Sequence, residues 1–529
     1  MAASVSLIYT STKTAIWSDR GLTRGERTCR QIRATSEFPL VTTDPISITP
    51  STDARTIFVL SFIGVALCAI VAVGLLLPAS LFEYGHSIRS GEPITEIFDT
   101  ESKRWQLTIY AFAYGALFLV ALKYASRLVG QAGVRVVLVI GVALGLLFTL
   151  VFPIGSQDIF HNVADARTLR VYHENPNIAA PGEFSEDPLG RQVVAFRHDP
   201  SAYGPLTYVL YLVPSTICGT SVQNCLIAFK AYNALWVLVA AILAGMIAES
   251  LRTGSRTVAM ASIAWNPLFL FEAVGNGHND LFLAVFLLLA VQLILIADAR
   301  GAAWSLGASA ACKFASVAVA PVFALWLWRR GEPRSAIVFG AIFGAIASIL
   351  AAYVALIVKE FTEVSIGQIG WSSPISVIGD LLRDIVGVTD SLRVARAISG
   401  VLLIVVYASL LRRLDPSKSS LVEVAFWVML SLVLLTPTRF FPWYLMWAVP
   451  LGACLPRSNA WLLSMTMSLS VLLTYAFLPL PAAPLRNAGE TFVYFGVPAL
   501  IFLARVVWSQ RQSDSTGSAR DSVDQPVTL

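Results

Sequence analysis

Runs of roughly 15 to 25 apolar residues recur along the whole 529-residue chain, and a helix needs about 20 of them to cross a bilayer. Such a chain has few ways to fold. Hydrocarbon offers no water to satisfy peptide groups, so each run must close its hydrogen bonds internally as a helix or join a closed barrel. Barrel strands would show as short alternating segments, whereas these runs are continuous. The expectation is an all-α polytopic membrane protein. Composition agrees: 13% of residues are charged, against about 25% in a soluble domain. The net charge of +5 comes from Arg and Lys residues that sit mostly between the runs, so no nucleic-acid partner is expected. The six cysteines are too scattered for a zinc site.

Spans are expected at residues 56–82, 105–122, 134–152, 226–248, 257–274, 281–297, 335–358, 397–411, 421–435, 443–455, 460–480 and 491–508, with a hairpin at 302–328. Residues 1–55 are polar, carry Arg20, Arg24, Arg27, Arg30 and Arg33, and read as a disordered cytoplasmic arm; residues 509–529 read as a disordered cytoplasmic tail. The positive-inside rule places Lys123, Arg127, Arg252, Arg256, Arg300, Arg329, Arg412, Arg457 and Arg505 on the cytoplasmic side. They alternate correctly if the 14-residue segment "GPLTYVLYLVPSTI" does not cross and the hairpin breaks near residues 313–321. The count is roughly 12 to 14 spans in the cell membrane, with both termini inside. The outer face then receives the loops 154–203, 275–280, 359–396 and 436–444. Cys218 and Cys225 also fall outside, and their spacing leaves a disulfide and two free thiols equally open.

Four polar clusters collect on that face. In "SQDIFHNVADAR", Asp158, His161, Asn162 and Asp165 form one stripe of a helix, closely followed by Arg167. The bland account is the solvated face of an interfacial helix. In "EAVGNGHND", His278, Asn279 and Asp280 stand at a turn, and Glu272 lies within the apolar span before it. Helix capping explains one of these residues but not the set. Lys313 lies inside an apolar run and Lys230 at the outer start of another; each reads as a snorkelling lysine or as a cation for a phosphate. In "TPTRFFPWYLMW", an aromatic belt accounts for Trp443, Tyr444 and Trp447, but not for Arg439 on the face that disfavours arginine.

Five pieces occur in order over roughly residues 156–450: "SQDIF…NPN", "YGPL" at Tyr203, "WNPLFLFEAVGNGHND", "CKFASVAVAP" and "PWYLMW". In them the chain resembles the GT-C superfamily of integral-membrane glycosyltransferases, and within it the bacterial polyprenyl-phosphate-mannose-dependent alpha-mannosyltransferases. The resemblance implies an enzyme that moves a hexose, mannose by analogy, from a polyprenyl-phosphate donor to a glycan or glycolipid acceptor on the outer face, with inversion. It implies that Asp158 is the catalytic base and that neither cofactor nor metal is used; Asp158 and Asp165 stand too far apart for a D-x-D pair. It implies a conserved core at residues 134–358 holding the outer loop 154–225, two additional spans at 56–133, and variable spans at 359–508. Some relatives carry a histidine near "PWY", where this chain has Arg439.

In this scheme Asp158, Asp165 and His278 are catalytic candidates, and Lys313, Lys230 and Arg439 are candidates for the donor phosphate. His161, Arg167, Tyr203, Asn279, Asp280, Trp443 and Tyr444 are candidates for substrate contact. A secondary transporter is the first alternative, but it would place its polar groups near mid-membrane and show internal repeats. A lipid-linked glycan ligase or polymerase is the second, and the "GHND" and "NPLFLFE" pieces weigh against it.

Overall fold

A computed structural model describes residues 50–82, 101–184, 186–193, 197–361, 373–475 and 488–508. The expected arm up to residue 49 and the tail from 509 lie outside the described residues, as does most of 359–373. Among the described residues there are helices and no strand. The elements are α1 (Pro50–Val71), α2 (Glu101–Ala125), α3 (Gln131–Leu150), α4 (Asp158–Val171), α5 (Pro205–Cys218), α6 (Val222–Leu251), α7 (Arg256–Ala264) and α8 (Asp280–Leu295). They are followed by α9 (Ala299–Cys312), α10 (Ala320–Arg329), α11 (Pro333–Phe361), α12 (Pro374–Val386), α13 (Val388–Arg413), α14 (Lys418–Leu435), α15 (Val449–Ala453), α16 (Asn459–Ser470) and α17 (Ala488–Trp508).

Among the described residues eight helices are long and apolar enough to cross a membrane, or nine if a pair bent by 51° counts as one span. Eight of the expected spans fall on the long helices, and 257–274 falls on the bent pair. Residues 281–297 and 460–480 fall on shorter apolar helices. Outward-facing apolar side chains such as Phe58, Ile349, Leu356 and Ile404 stay exposed along these helices, as lipid-facing residues do. The chain is a multi-pass membrane protein.

Inside, several polar side chains bridge neighbouring helices, since a buried polar group without a partner is costly. The Tyr114 hydroxyl donates to the Trp265 carbonyl at 3.0 Å, and Trp265 Nε1 donates to the Val137 carbonyl at 2.9 Å, joining α2, α3 and α7. The bend after α7 has a local cause. Pro267 cannot donate to the helical ladder, and Asn266 repairs the gap: its Oδ1 accepts from Leu268 N at 2.9 Å and its Nδ2 donates to the Ser262 carbonyl at 3.0 Å. Beyond the bend the chain winds as a π-helix, Phe269–Gly275, a form that recurs at functional sites.

The break expected in 302–328 falls at Lys313, which is extended (φ −158°, ψ 126°) between α9 and a 3₁₀ turn, Phe314–Val319. Residues 443–455 form no continuous helix. Pro442 starts a 3₁₀ turn, Pro442–Trp447, and Pro450 falls at the start of the five-residue α15. The segment "GPLTYVLYLVPSTI" falls on the 14-residue α5, and the Cys218–Cys225 disulfide closes its turn into α6. The stripe of α4 faces largely inward rather than to water: Asn162 and Asp165 are buried, Asp158 and His161 half-buried, and Arg167 beyond the stripe is buried too. The solvated-face account of that helix is therefore corrected, because α4 packs on α5 and α6 and turns its polar side into the protein.

Candidate active site

The site starts where α3 ends. The residues after it turn into α4, whose first residue is Asp158. Ser156 Oγ donates to Asp158 Oδ1 at 3.0 Å and accepts from Asp158 N at 3.1 Å. A carboxylate at this position also meets the positive end of the helix dipole. The turn after the π-helix is then clamped onto this segment. Gly155 N donates to Asn276 Oδ1 at 3.0 Å, Asn162 Nδ2 to the Gly277 carbonyl at 3.0 Å, and Asn279 Nδ2 to Asn162 Oδ1 at 3.0 Å. Gly277 must be glycine here: its φ is +76°, and a Cβ would stand 2.6 Å from Ile159.

This clamp sets His278 between two carboxylates. Its Nδ1 is 3.3 Å from Asp158 Oδ2, and its Nε2 is 3.4 Å from Glu272 Oε2. Neither contact is a well-aligned hydrogen bond, so the interaction is chiefly one of charge. The ring stacks on Trp443 at 3.7 Å and is wholly buried, while the Asp158 side chain keeps 23% of its surface open. Burial alone would raise the Asp158 carboxyl, but His278 and Ser156 outweigh it and hold it down to about 2. Burial alone would lower the His278 imidazole, but Asp158 and Glu272 outweigh it and raise it to about 9.

Tyr203 links this pair to a second one. Its hydroxyl donates to Asp158 Oδ2 at 3.2 Å, and its ring lies 5.4 Å from Lys313 Nζ. Lys313 Nζ donates to Asp280 Oδ1 at 2.6 Å and also sits over the rings of Tyr444, at 5.0 Å, and Trp447, at 5.1 Å. Trp447 Nε1 donates to the same Asp280 oxygen. The result is a partly exposed ammonium in a three-ring cage with one buried counter-ion. Gly204 brings the cage together: its N donates to the Cys312 carbonyl at 2.9 Å, and a Cβ would stand 2.1 Å from the Ala311 carbonyl oxygen.

The other expected residues separate from this group. His161 Nδ1 lies 3.2 Å from Asp165 Oδ2, a pair one turn along α4 in which the Asp165 side chain is 2% exposed. Arg167 is spent on structure: it pairs with Asp187 at 2.6 Å and donates to the Gly219 carbonyl at 3.3 Å, which staples α4 to the outer loop and the disulfide turn. Burial would raise Asp187, but Arg167 and its other donors outweigh this and lower it. Asn279 is likewise spent on Asn162. Lys230 does not snorkel. Its ammonium is fully buried on the Val151 carbonyl and presents no open face to a donor. Arg439 lies 5.3 Å from the Phe441 ring, which stacks on Trp443 at 4.5 Å. Tyr475, whose hydroxyl donates to Glu272 Oε1 at 2.9 Å, carries no sequence signal because it is one tyrosine in an apolar run.

A family model described as alpha-(1->6)-mannopyranosyltransferase, N-terminal domain, matches residues 61–330, just over half of the chain. The chain belongs to this alpha-(1->6)-mannopyranosyltransferase family. As a family member it is a GT-C-like mannosyltransferase, hence a glycosyltransferase that takes a sugar donor and a glycan acceptor in a membrane setting. Among curated proteins none matches it. The family match takes in Asp158, Tyr203, Glu272, His278, Asp280 and Lys313, while Trp443, Tyr444, Trp447 and Tyr475 lie beyond it. It begins inside α1 and so includes both spans expected as additions to the core.

Proposed function

We propose that this mannosyltransferase takes mannose from a polyprenyl-phosphate donor and passes it, with inversion, to a glycan or glycolipid acceptor at the extracytoplasmic face of the cell membrane. One observation carries the reading. A partly open carboxylate, Asp158, and a partly open ammonium, Lys313, stand on either side of Tyr203. The acceptor oxygen attacks the anomeric carbon, the bond from that carbon to the phosphate oxygen breaks, and the electron pair leaves with the phosphate. Asp158 takes the acceptor proton, and Lys313 offsets the charge growing on the leaving phosphate. A base held near 2 is weak, which suits an oxocarbenium-like reaction in which bond cleavage runs ahead of proton transfer. The incoming phosphate charge would also strengthen it. Tyr444, half-buried beside Lys313, supplies a ring for sugar or isoprenoid, while Trp443, stacked between His278 and Phe441, supports the site from behind. Asp165, on the same helix, is the rival base, and Arg439 a second cation for the head group.

The deciding experiment supplies purified protein in nanodiscs with polyprenyl-phosphate mannose or with GDP-mannose. Transfer from the lipid donor alone is expected. Efficient transfer from the nucleotide sugar, with the lipid donor inert, would overturn the reading.

A further inference from the structure

Glu272 has no exposed surface and lies in the π-helical half of the broken span. A carboxylate there is costly unless it is used. Tyr475 donates to Oε1 at 2.9 Å and Asn276 Nδ2 to Oε2 at 3.1 Å. Each of its two oxygens is therefore held by a neutral donor. The same Oε2 also faces His278 Nε2 at 3.4 Å.

We propose that Glu272 is a positioning residue: by facing Nε2 of the buried His278 ring it fixes that ring against Asp158 and thereby sets the strength and direction of Asp158, without touching substrate. This rests on the reading of Asp158 as the base. The groups around the ring are few. Asp158 comes from α4, Glu272 from the π-helix and Trp443 from the 3₁₀ turn, with Asn276 and Asn279 on its own turn. Behind them Tyr203, Ser156 and His161 act on Asp158, and Tyr475 acts on Glu272; the Lys313–Asp280 pair begins on the other side of Tyr203. Each ring nitrogen thus has its own carboxylate. Neutralising Glu272 leaves the Nε2 proton against an amide and the whole ring charge to Asp158.

The test uses ¹⁵N-histidine-labelled full-length protein in nanodiscs without donor; the chain has 5 histidines, and loss of one signal in His278→Gln assigns the resonance. In the wild type His278 should remain charged at pH 8. In Glu272→Gln it should titrate about two units lower, so that turnover at pH 8 falls about tenfold and recovers toward wild type at pH 6. Glu272→Asp keeps the charge and should follow the wild type. In Asp158→Asn, with Glu272 intact, the ring should still titrate above its ordinary value of 6.5. An unmoved His278 in Glu272→Gln, or a fall to the ordinary value in Asp158→Asn, would overturn the proposal. If Glu272→Gln fails to fold, the Asp158→Asn titration still decides. The titrations need no donor, so a chain inactive with lipid-linked mannose would count against the proposed donor and leave this proposal standing or falling separately.

Discussion

Asp158 and Asp165 share one helix but differ in what surrounds them. Asp158 is open enough to meet an acceptor, whereas the Asp165 side chain is nearly closed off beside His161. Asp158→Asn should keep the fold and lower turnover by roughly 10²- to 10⁴-fold, the usual worth of a general base. Asp165→Asn should cost clearly less at matched expression, and the reverse order in a radiolabelled transfer assay would move the base along the helix. The charge of His278 has its own signature. Its value is raised from 6.5 to about 9, so its ion pairing is fully stabilising below 6.5 and is lost as pH rises through about 9. Asp158 is lowered from 3.8 to about 2, so its share is present above 3.8 and is lost as pH falls toward 2. The melting-temperature gap between wild type and His278→Gln should therefore be widest near pH 4 to 6.5 and close toward pH 9. At this scale the sequence exposed the misfit residues but not their partners. Lys313 and Lys230 look alike as lone lysines in apolar runs, yet one meets three rings and the other a carbonyl. Spacing along a chain carries no information about which distant group will close on it.

Elements were more legible where length alone decides. A run long enough to span has one outcome in lipid, and α2, α3, α6 and α11 follow their runs to within a few residues, while the first span ends at Leu76, short of the expected 82. Prolines blurred the rest. Pro267 splits one expected span into a bent pair, while Pro442 and Pro450 turn another into short pieces. The turn that joins the π-helix to α8 is a constrained joint beside His278. Gly277→Ala would put a methyl group against Ile159 in a left-handed conformation. It should destabilise the protein by about 1–3 kcal/mol and lower turnover more than the stability loss explains, because His278 is the next residue. Thermal melts and transfer assays on one preparation separate the two effects, and an unchanged melt would show that the turn yields.

At the scale of the whole molecule, the proposed sidedness rests on alternating Arg and Lys residues. Glu186 in the outer loop has a side chain 94% exposed, and Gly254 lies in the turn between α6 and α7. With the native cysteines other than the disulfide pair replaced, a cysteine at 186 should react with an impermeant thiol reagent on intact cells, and one at 254 only after lysis. A cytoplasmic position 186 would remove the extracytoplasmic site with it. The alternation proposes a side for each loop but not which loops meet, since no charge rule brings the His278 turn against the "PWY" turn; that contact, His278 stacked on Trp443, is made by packing.

That contact has a consequence for how the molecule could be divided. The family match stops at residue 330, at the exposed left-handed turn of Gly331, before any of the aromatic wall has been made. The first half brings the acid, the histidine and the lysine; the second brings Trp443, Tyr444, Trp447 and Tyr475. A chain cut at Gly331 should therefore give two inert fragments, the first with a lysine lacking two of its three rings and a histidine with one face bare. Expressed together, they should recover transfer only to the extent that they reunite in the bilayer, which co-purification with a tag on one fragment would measure. The two halves would then behave as a lock and its strike plate, and reaction would report their closure.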